Sequence, residues 1–442
     1  MRLVYLFVVY VAAPFVCLTM LWRGFRDRSY WQNFGERFGF GEVPYAGRCV
    51  WVHAVSVGEV QAAAALVRAL HYRYPAVPLL VTTVTPTGRQ RANALFDGVA
   101  QVRYVPYDLP GAVRRFFDRV RPRVAIILET ELWPNLYHEC GKRKVPLVLA
   151  SARISPRSIG RYRRLAGLFG ETLAHGIVIA AQSPGDAERF RQIGANPART
   201  HVTGNIKFDF ALPEDVVAHG VALRAMLIGT RPVWVAGSTH EGEEDVVLEA
   251  HRAVRAAIPG ALLILVPRHP NRFDDVASAL EKNGTRFVRR SSGARCDGDT
   301  EVLLGDSLGE LVLFYAAADV AFVAGSLVPI GGHNLLEPAA LGLPILTGPH
   351  NFNSEDIARL LIDAGAARVV RSARELADGL IALLEDPTAR QAMGAIGLAA
   401  LQGNRGALQR LLVLLDPVIA ATALPVESSA GASASSARPA TR

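Results

Sequence analysis

The chain has 442 residues, of which 50% are hydrophobic and 20% are charged, so global disorder is excluded and two or three domains are expected. Lys and Arg total 48 against 40 Asp and Glu, and the formal net charge of +8 points to nucleic acid, an anionic membrane or a phosphorylated substrate. Four widely spaced cysteines without a CxxC pair argue against a disulfide framework and against a structural zinc site.

An apolar segment opens the chain. Residues 3–22, LVYLFVVYVAAPFVCLTMLW, carry no charge and are long enough to cross one hydrocarbon core as a helix. Arg23, Arg26 and Arg28 follow directly, which by the positive-inside tendency keeps the rest of the chain cytoplasmic. We predict a membrane anchor or embedded helix over 1–29. The competing interpretation, a cleaved signal peptide, fits less well because a single Arg precedes the run and no small-x-small cleavage site follows it.

Two series of short apolar runs then alternate with helical patterns. The runs are continuous and rich in Val, Ile and Leu, as is typical of strands buried on both faces. The series predict an α/β fold with two Rossmann-like domains, an acceptor-side domain over 30–205 and a donor-side domain over 210–415, which face each other across a cleft. A tail over 424–442, rich in Ser and Ala, is predicted to be disordered.

Carboxylates follow two strands of the first series. HAVSVGEV (53–60) puts Glu59 in the first turn of a predicted helix, and ILETELWPN (127–135) puts Glu129 and Glu131 at another strand end. Because parallel sheets bind ligands at the carboxyl ends of their strands, Glu59 is a candidate general base. The structural alternatives are a charge–dipole contact in the first turn for Glu59, and capping or ion pairing for the other two.

Two segments of the second series are suited to a phosphate. LVPRHP (265–270) holds Arg268 at a strand end, where its guanidinium can bind a phosphate; an incidental surface arginine is the alternative. GSLVPIGGHNLLEPAALGLPILTGP (325–349) combines a glycine-rich loop with a helix that we expect to begin near Asn334, and Glu337 can accept hydrogen bonds from a ribose. A glycine turn with an ordinary cap would explain the glycines, but it accounts less easily for the whole cluster.

The remaining motifs are weaker. SLGEL (307–311) is another polar-to-helix transition, which an N-cap alone would explain, and Lys207 lies where the two series join. Asp297-Gly298-Asp299 has the form of a metal-binding DxD motif, but it lies in a polar loop far from the glycine-rich segment, and we interpret it as a turn. No metal site is predicted. Basic residues concentrate within 114–164, which suits an anionic membrane or a phosphorylated lipid; no nucleic-acid-binding module is present.

With these residues assembled, the chain resembles the Kdo (3-deoxy-D-manno-octulosonic acid) transferases, membrane-anchored GT-B enzymes of lipopolysaccharide assembly. The resemblance extends from the apolar segment to about residue 415 and rests on SVGE, TPTG, YDLP, ETELWPN, TGNIKFD, STHEGEE, LVPRHP and GGHNLLE, which occur in the family's order. It implies inverting transfer of Kdo from CMP-Kdo to a phosphorylated lipid A precursor, lipid IVA, without a metal or other cofactor, on the cytoplasmic side of the inner membrane.

The same resemblance implies roles for individual residues. Glu59 matches the proton acceptor, and Glu129 and Lys207 match residues that stabilise the transition state. The segments that bind CMP correspond to Pro267, Arg268, Leu308, Gly309, Glu310, Asn334, Leu335, Leu336 and Glu337. Two alternatives remain: a GT-B glycosyltransferase that uses a UDP-sugar on another lipid carrier, and a non-catalytic nucleotide-binding membrane protein. The number of Kdo units transferred is not fixed by these motifs.

Overall fold

The structure, a computed structural model, describes residues 2–42, 45, 47–173, 176–210 and 212–422. These residues form two compact units, unit 1 up to Lys207 and again from Gly406 onward, and unit 2 over Phe208–Arg405. The tail predicted over 424–442 lies outside the described residues.

Unit 1 is built on one seven-stranded parallel sheet in the order β3-β2-β1-β4-β5-β6-β7. Its strands are β1 (Val50–His53), β2 (Leu79–Thr83), β3 (Gln101–Tyr104), β4 (Val124–Leu128), β5 (Leu147–Ala152), β6 (Val178–Ala181) and β7 (Thr200–Val202). Its helices before the unit boundary are α1 (Arg2–Arg26), α2 (Val57–Arg73), α3 (Pro86–Phe96), α4 (Pro110–Val120), α5 (Pro134–Lys142), α6 (Ile159–Arg164), α7 (Ala166–Leu173) and α8 (Pro184–Gln192).

Unit 2 repeats this plan with the strand order β10-β11-β9-β8-β12-β13-β14, again all parallel. The strands are β8 (Val233–Thr239), β9 (Leu262–Pro267), β10 (Phe287–Arg289), β11 (Val302–Leu304), β12 (Val320–Val323), β13 (Ile345–Thr347) and β14 (Ala367–Val369). The helices are α9 (Val216–Leu223), α10 (Glu244–Ala257), α11 (Phe273–Lys282), α12 (Leu311–Ala316), α13 (Leu336–Ala340), α14 (Glu355–Asp363), α15 (Ala373–Glu385) and α16 (Pro387–Gly403).

The central strands are buried along their whole length, which explains their uninterrupted apolar sequences. Every residue of β1, β2, β4 and β5 is buried, and the same holds for β8, β9 and β12 in unit 2. Hydrophobic clusters cover both faces of each sheet. The predicted α/β architecture of two parallel sheets is therefore confirmed.

Each sheet has a reversal of strand order at its centre. In unit 1 the chain winds outward in both directions from the pair β1 and β4. In unit 2 it departs in both directions from the pair β8 and β12, except that β10 forms the edge of the sheet and β11 returns to lie between β10 and β9. At such a reversal the loops that follow the two strands diverge and leave a crevice at their carboxyl ends, which is where open α/β sheets bind ligands.

One helix departs from the predicted domain limits. The sequence pattern placed residues up to 415 in the second domain, whereas α17 (Ala407–Ala421) packs on unit 1. The reason is apolar burial: Leu411, Leu412, Leu415 and Ile419 lie in the same hydrophobic cluster as β1, β2 and α2. Tyr74 donates a hydrogen bond of 2.7 Å to Asp416 and fixes the helix further.

The predicted apolar helix at the start of the chain is confirmed as α1. Within the described ranges it is the one helix that is long and apolar enough to cross a membrane, by length and composition.

Candidate functional site

The crevice of unit 1 brings together three residues that the sequence singled out. Glu59 lies in the first turn of α2 after β1, Glu129 follows β4 directly, and Lys207 lies in the short 3-10 turn Ile206–Asp209 after β7. Lys207 Nζ donates to Glu129 Oε1 at 2.6 Å. The recess around them is lined by Glu59, Ala62, Leu128, Glu129, Ser151, Ile206 and Lys207.

Glu59 has a structural role as well as a catalytically useful pKa. Its Oε2 accepts a 2.7 Å hydrogen bond from the Val55 N–H, and Ser56 caps α2, so Glu59 also helps to hold the first turn of the helix. Burial raises the pKa of Glu59 to about 7, the Glu129 carboxylate acts in the same direction, and the Val55 N–H opposes both. A carboxylate with a pKa near 7 is well placed to exchange a proton at neutral pH.

Glu129 is held in a backbone conformation that non-glycine residues seldom adopt, with φ at +57°. Two cations meet its carboxylate: Lys207, and Arg153, whose Nε lies 3.5 Å from Oε2. Backbone strain of this kind clusters at functional sites. The sequence analysis counted Arg153 only among the surface basic residues, because nothing in the local pattern indicates that it reaches this carboxylate.

The neighbouring Glu131 takes a different role. Its Oε2 accepts a 2.6 Å hydrogen bond from Trp133 Nε1, and its backbone carbonyl accepts one from the Tyr137 hydroxyl. Burial raises the pKa of Glu131. These contacts fit the structural alternative, in which Glu131 organises the start of α5.

In unit 2, a carboxylate that the sequence analysis did not single out shapes the crevice. Glu243 is fully buried, and its two oxygens accept hydrogen bonds from the backbone N–H groups of His240, Gly325, Ser326 and Leu327 at 2.7–3.1 Å. It therefore ties the loop after β8 to the glycine-rich loop after β12. Three of these four N–H groups lie more than 80 residues away in the sequence, so no local pattern indicates this role of Glu243.

The glycine-rich loop requires glycine at two positions. Gly331 and Gly332 have φ values of +111° and +73°. A Cβ atom at Gly331 would lie 2.5 Å from Asn353, and one at Gly332 would lie 2.4 Å from Asn351. Asn334 follows, accepting a hydrogen bond from the Leu336 N–H and donating one of 3.1 Å to Glu337.

The predicted helix after this loop is present but short. α13 starts at Leu336, two residues after Asn334, and contains five residues, so it provides little of the dipole that we expected for anion binding. Leu335 and Leu336 are buried in the core of unit 2, which leaves only their backbone groups for a ligand.

Arg268 lies exposed at the end of β9, after the buried Pro267. Its charge is close enough to lower the pKa of Glu337, although burial of Glu337 outweighs that effect and raises the pKa overall. Arg268 therefore lies close enough to Glu337 for their charges to interact.

Three histidines lie near Arg268 at the carboxyl ends of the strands of unit 2, and the sequence analysis did not predict them as a group. His240 stacks on His333 with ring centroids 5.1 Å apart and contacts the edge of His269 at 5.3 Å. The Nε2 atoms of His240 and His333 are 2.9 Å apart. Burial lowers the pKa of His333 to about 3, and the charges of His240 and Arg268 act in the same direction.

The segment SLGEL lies after β11, at the same edge of the sheet. Leu308 is 76% exposed, and Gly309 has a φ of +83°. Glu310 accepts a 2.8 Å hydrogen bond from Arg290 and a short one from Ser307. Leu308 and Gly309 are thus available to a ligand, whereas Glu310 has protein partners.

The Asp297-Gly298-Asp299 sequence forms a turn, as predicted. The Asp297 carboxylate accepts hydrogen bonds from the backbone N–H groups of Asp299 and Thr300. It lies before β11, at the amino ends of the strands, opposite to the crevice. Among the described residues there is no group of three or more His, Cys, Asp or Glu side chains that could hold a metal ion.

Solved structures with a similar fold define the class of protein. The UDP-GlcNAc 2-epimerase from Neisseria meningitidis, bound to UDP-GlcNAc, has a TM-score of 0.57 at 13% identity and covers 84% of this chain and 100% of that chain. HepE from Anabaena, in complex with UDP, has a TM-score of 0.54 at 15% identity with the same coverage. At these identities the likeness concerns the fold alone, and the fold is GT-B.

Sequence relatives give the family. A family model described as 3-Deoxy-D-manno-octulosonic-acid transferase (kdotransferase) matches residues 32–210. The 3-deoxy-D-manno-octulosonic acid transferase of Haemophilus influenzae is 41% identical over 95% of this chain and 99% of its own length. That of Bordetella pertussis is 43% identical over 91% of this chain and 96% of its own length. The chain belongs to the family of 3-deoxy-D-manno-octulosonic acid (Kdo) transferases, and it is a glycosyltransferase.

Proposed function

We propose that this Kdo transferase moves Kdo from CMP-Kdo to a phosphorylated lipid A precursor, lipid IVA, with inversion at the anomeric carbon. The observation that carries the mechanism is Glu59, a carboxylate with a pKa near 7 beside the Glu129–Lys207 ion pair at the strand reversal of unit 1. We infer the sugar from the family membership, and we infer the nucleotide and the acceptor from the resemblance described above.

In the proposed reaction, the oxygen of an acceptor hydroxyl forms a bond to the anomeric carbon of Kdo while the bond from that carbon to the CMP phosphate breaks. Glu59 receives the hydroxyl proton, and CMP leaves with the bonding electrons. Positive charge develops on the sugar ring in the transition state, so a nearby carboxylate stabilises it. Glu129 supplies that carboxylate, and Lys207 and Arg153 hold it in place.

The donor nucleotide is assigned to the crevice of unit 2. Arg268 is exposed at the end of β9 and binds the phosphate that departs with CMP. Asn334 and Glu337 form the polar end of the glycine-rich loop and bind the ribose hydroxyls. Pro267, Leu308, Gly309 and Glu310 complete the set, and Leu335 and Leu336 take part through their backbone groups. We expect no requirement for a divalent metal, because the Arg268 guanidinium supplies positive charge at the departing phosphate.

The acceptor is a lipid, so we place the enzyme at the membrane. α1 is the apolar helix that anchors it, and the exposed Arg23, Arg26 and Arg28 at its carboxyl end bind anionic headgroups. The resemblance to the family favours a location of units 1 and 2 on the cytoplasmic side of the inner membrane.

The test is to incubate the purified full-length protein with lipid IVA and either CMP-Kdo or a UDP-sugar, and to measure the lipid mass and the released nucleotide. We expect the lipid to gain Kdo only with CMP-Kdo, with one CMP released for each Kdo, and we expect no effect of EDTA. Product mass after exhaustive reaction gives the number of Kdo units. Sugar transfer from the UDP donor alone, or an unchanged lipid in both reactions, would overturn the proposal.

A further inference from the structure

α1 has two faces with different surroundings. One face is partly buried, and its residues follow each other at intervals of three or four, as one stripe of a helix does. The residues of this face are Arg2, Tyr5, Leu6, Val9, Ala13, Cys17, Met20 and Gly24. The stripe extends over the whole helix, so α1 lies along the unit for its full length of about 37 Å.

The amino end of α1 is fastened to a distant part of unit 1, and its carboxyl end continues directly into that unit. Near its amino end, the Tyr5 hydroxyl donates a 2.6 Å hydrogen bond to Asp108, a buried residue that follows β3. Near its carboxyl end, Trp31 packs against Gly24 and donates a hydrogen bond from its indole Nε1 to the carbonyl of Leu21. A helix that crosses a bilayer must have its two ends on opposite sides, about 30 Å of hydrocarbon apart. Ends that contact one folded unit do not meet that requirement.

The outward face of α1 is apolar and exposed. Leu3 is 82% exposed and Phe25 is 78% exposed, and further large apolar side chains lie between them: Val4, Phe7, Val8, Val11, Phe15, Val16, Leu18, Leu21 and Trp22. A continuous apolar surface of this size on a soluble domain marks a contact with a membrane or another protein. The charge pattern favours the membrane, since no charged residue lies between Leu3 and Trp22 and the exposed Arg26 lies over the ring of Trp22 at 4.4 Å.

We propose that α1 lies flat in one leaflet of the bilayer, fastened to unit 1 by the Tyr5–Asp108 hydrogen bond, and does not span the membrane. The outward face of α1 contacts the acyl chains of the lipid. This inference rests on the membrane location in the proposed function and is independent of the donor and the acceptor.

The Tyr5–Asp108 hydrogen bond lies next to the crevice of unit 1. Besides Tyr5, the Asp108 carboxylate accepts hydrogen bonds from the backbone N–H groups of Asn135 at 2.9 Å and Leu136 at 2.8 Å, in the first turn of α5. The loop that carries Glu129 ends where α5 begins. A flat α1 therefore holds the entrance of this crevice at the lipid surface, and Tyr5 acts as a positioning residue for a lipid acceptor.

A depth profile tests the orientation. Cys17 and Cys296 are replaced by Ser, while the buried Cys49 and Cys140 are kept, and single cysteines are introduced at Leu3, Val11, Leu18 and Phe25 on the outward face. Each variant is labelled with an environment-sensitive fluorophore and reconstituted into vesicles that contain anionic phospholipid and lipids with bromine at known depths.

The flat orientation gives the same depth of maximal quenching at all four positions. A spanning helix gives its deepest position near Val11 and shallow positions at Leu3 and Phe25, and this result would overturn the inference. Absence of quenching at every position would overturn it as well, because a second copy of the chain or another protein would then cover the face. A failure of Kdo transfer would contradict the proposed function but would leave the depth profile interpretable.

The positioning role of Tyr5 has its own test. Tyr5→Phe removes the hydroxyl that contacts Asp108, and Tyr10→Phe removes a hydroxyl from the outward face of the same helix as the matched control. We expect Tyr5→Phe to raise the KM for the lipid acceptor by about tenfold while the KM for CMP-Kdo is unchanged, since one hydrogen bond to a carboxylate is lost. Equal acceptor KM values for the two variants would refute the role of Tyr5.

Discussion

Replacing Glu59 with Gln should remove catalysis and at the same time stabilise the folded protein at high pH. The pKa of this carboxyl is raised from 4.5 in a free side chain to about 7 in the fold. The folded state therefore holds the proton more tightly than the unfolded state, so ionised Glu59 destabilises the fold progressively between pH 4.5 and 7, and fully above 7. The shift corresponds to about 3 kcal/mol.

Gln carries no charge at any pH, and its side-chain oxygen can still accept the hydrogen bond from the Val55 N–H. We expect urea unfolding to show a free energy of unfolding for Glu59→Gln equal to that of the wild type near pH 4.5 and higher by up to about 3 kcal/mol at pH 8. Kdo transfer should fall by about 10²–10⁴, as is typical when a general base is removed.

The control is Glu188→Gln, which removes an exposed carboxylate on the surface of unit 1. It should change neither the activity nor the difference in stability between pH 4.5 and pH 8. The reasoning would be refuted if Glu59→Gln were no more stable than the wild type at pH 8, or if it retained near-normal transfer.

Further variants address the other parts of the site. Lys207→Met removes a cation that lowers the pKa of Glu59, so this pKa rises and the rising limb of the pH–activity profile should move to higher pH. A limb at the wild-type pH would contradict the electrostatic effect of Lys207 on Glu59. Arg268→Ala should weaken CMP binding in calorimetry by about 10-fold or more without lowering Tm, whereas the surface variant Arg286→Ala should bind CMP normally. Glu243→Gln leaves buried backbone N–H groups without an acceptor and should cost about 3 kcal/mol of stability together with CMP affinity; an unchanged Tm would argue against the loop-holding role.

Much of the architecture follows from local sequence patterns. The strands are predictable because each is a short, uninterrupted apolar run, and a parallel sheet with helices on both faces buries every such residue. Glu59, Glu129 and Arg268 are predictable as candidates because they come directly after strands, and the carboxyl ends of parallel strands share one edge of the sheet.

The remaining features depend on contacts between distant segments. Glu243 binds N–H groups of a loop that starts more than 80 residues later, and His240 meets His333 across 93 residues. α17 follows unit 2 in sequence but belongs to unit 1, since its apolar stripe is complementary to that sheet. No local pattern encodes these partners, because tertiary packing determines them.

The most direct measurement is the anomeric configuration of the product. The wild-type protein is incubated with lipid IVA and CMP-Kdo, the lipid product is isolated, and NMR gives the configuration of the new glycosidic bond together with the amount of CMP released. Direct attack assisted by Glu59 predicts a configuration opposite to that in CMP-Kdo and one CMP for each new bond. Retention of configuration, or CMP release without a new bond to the lipid, would contradict the mechanism.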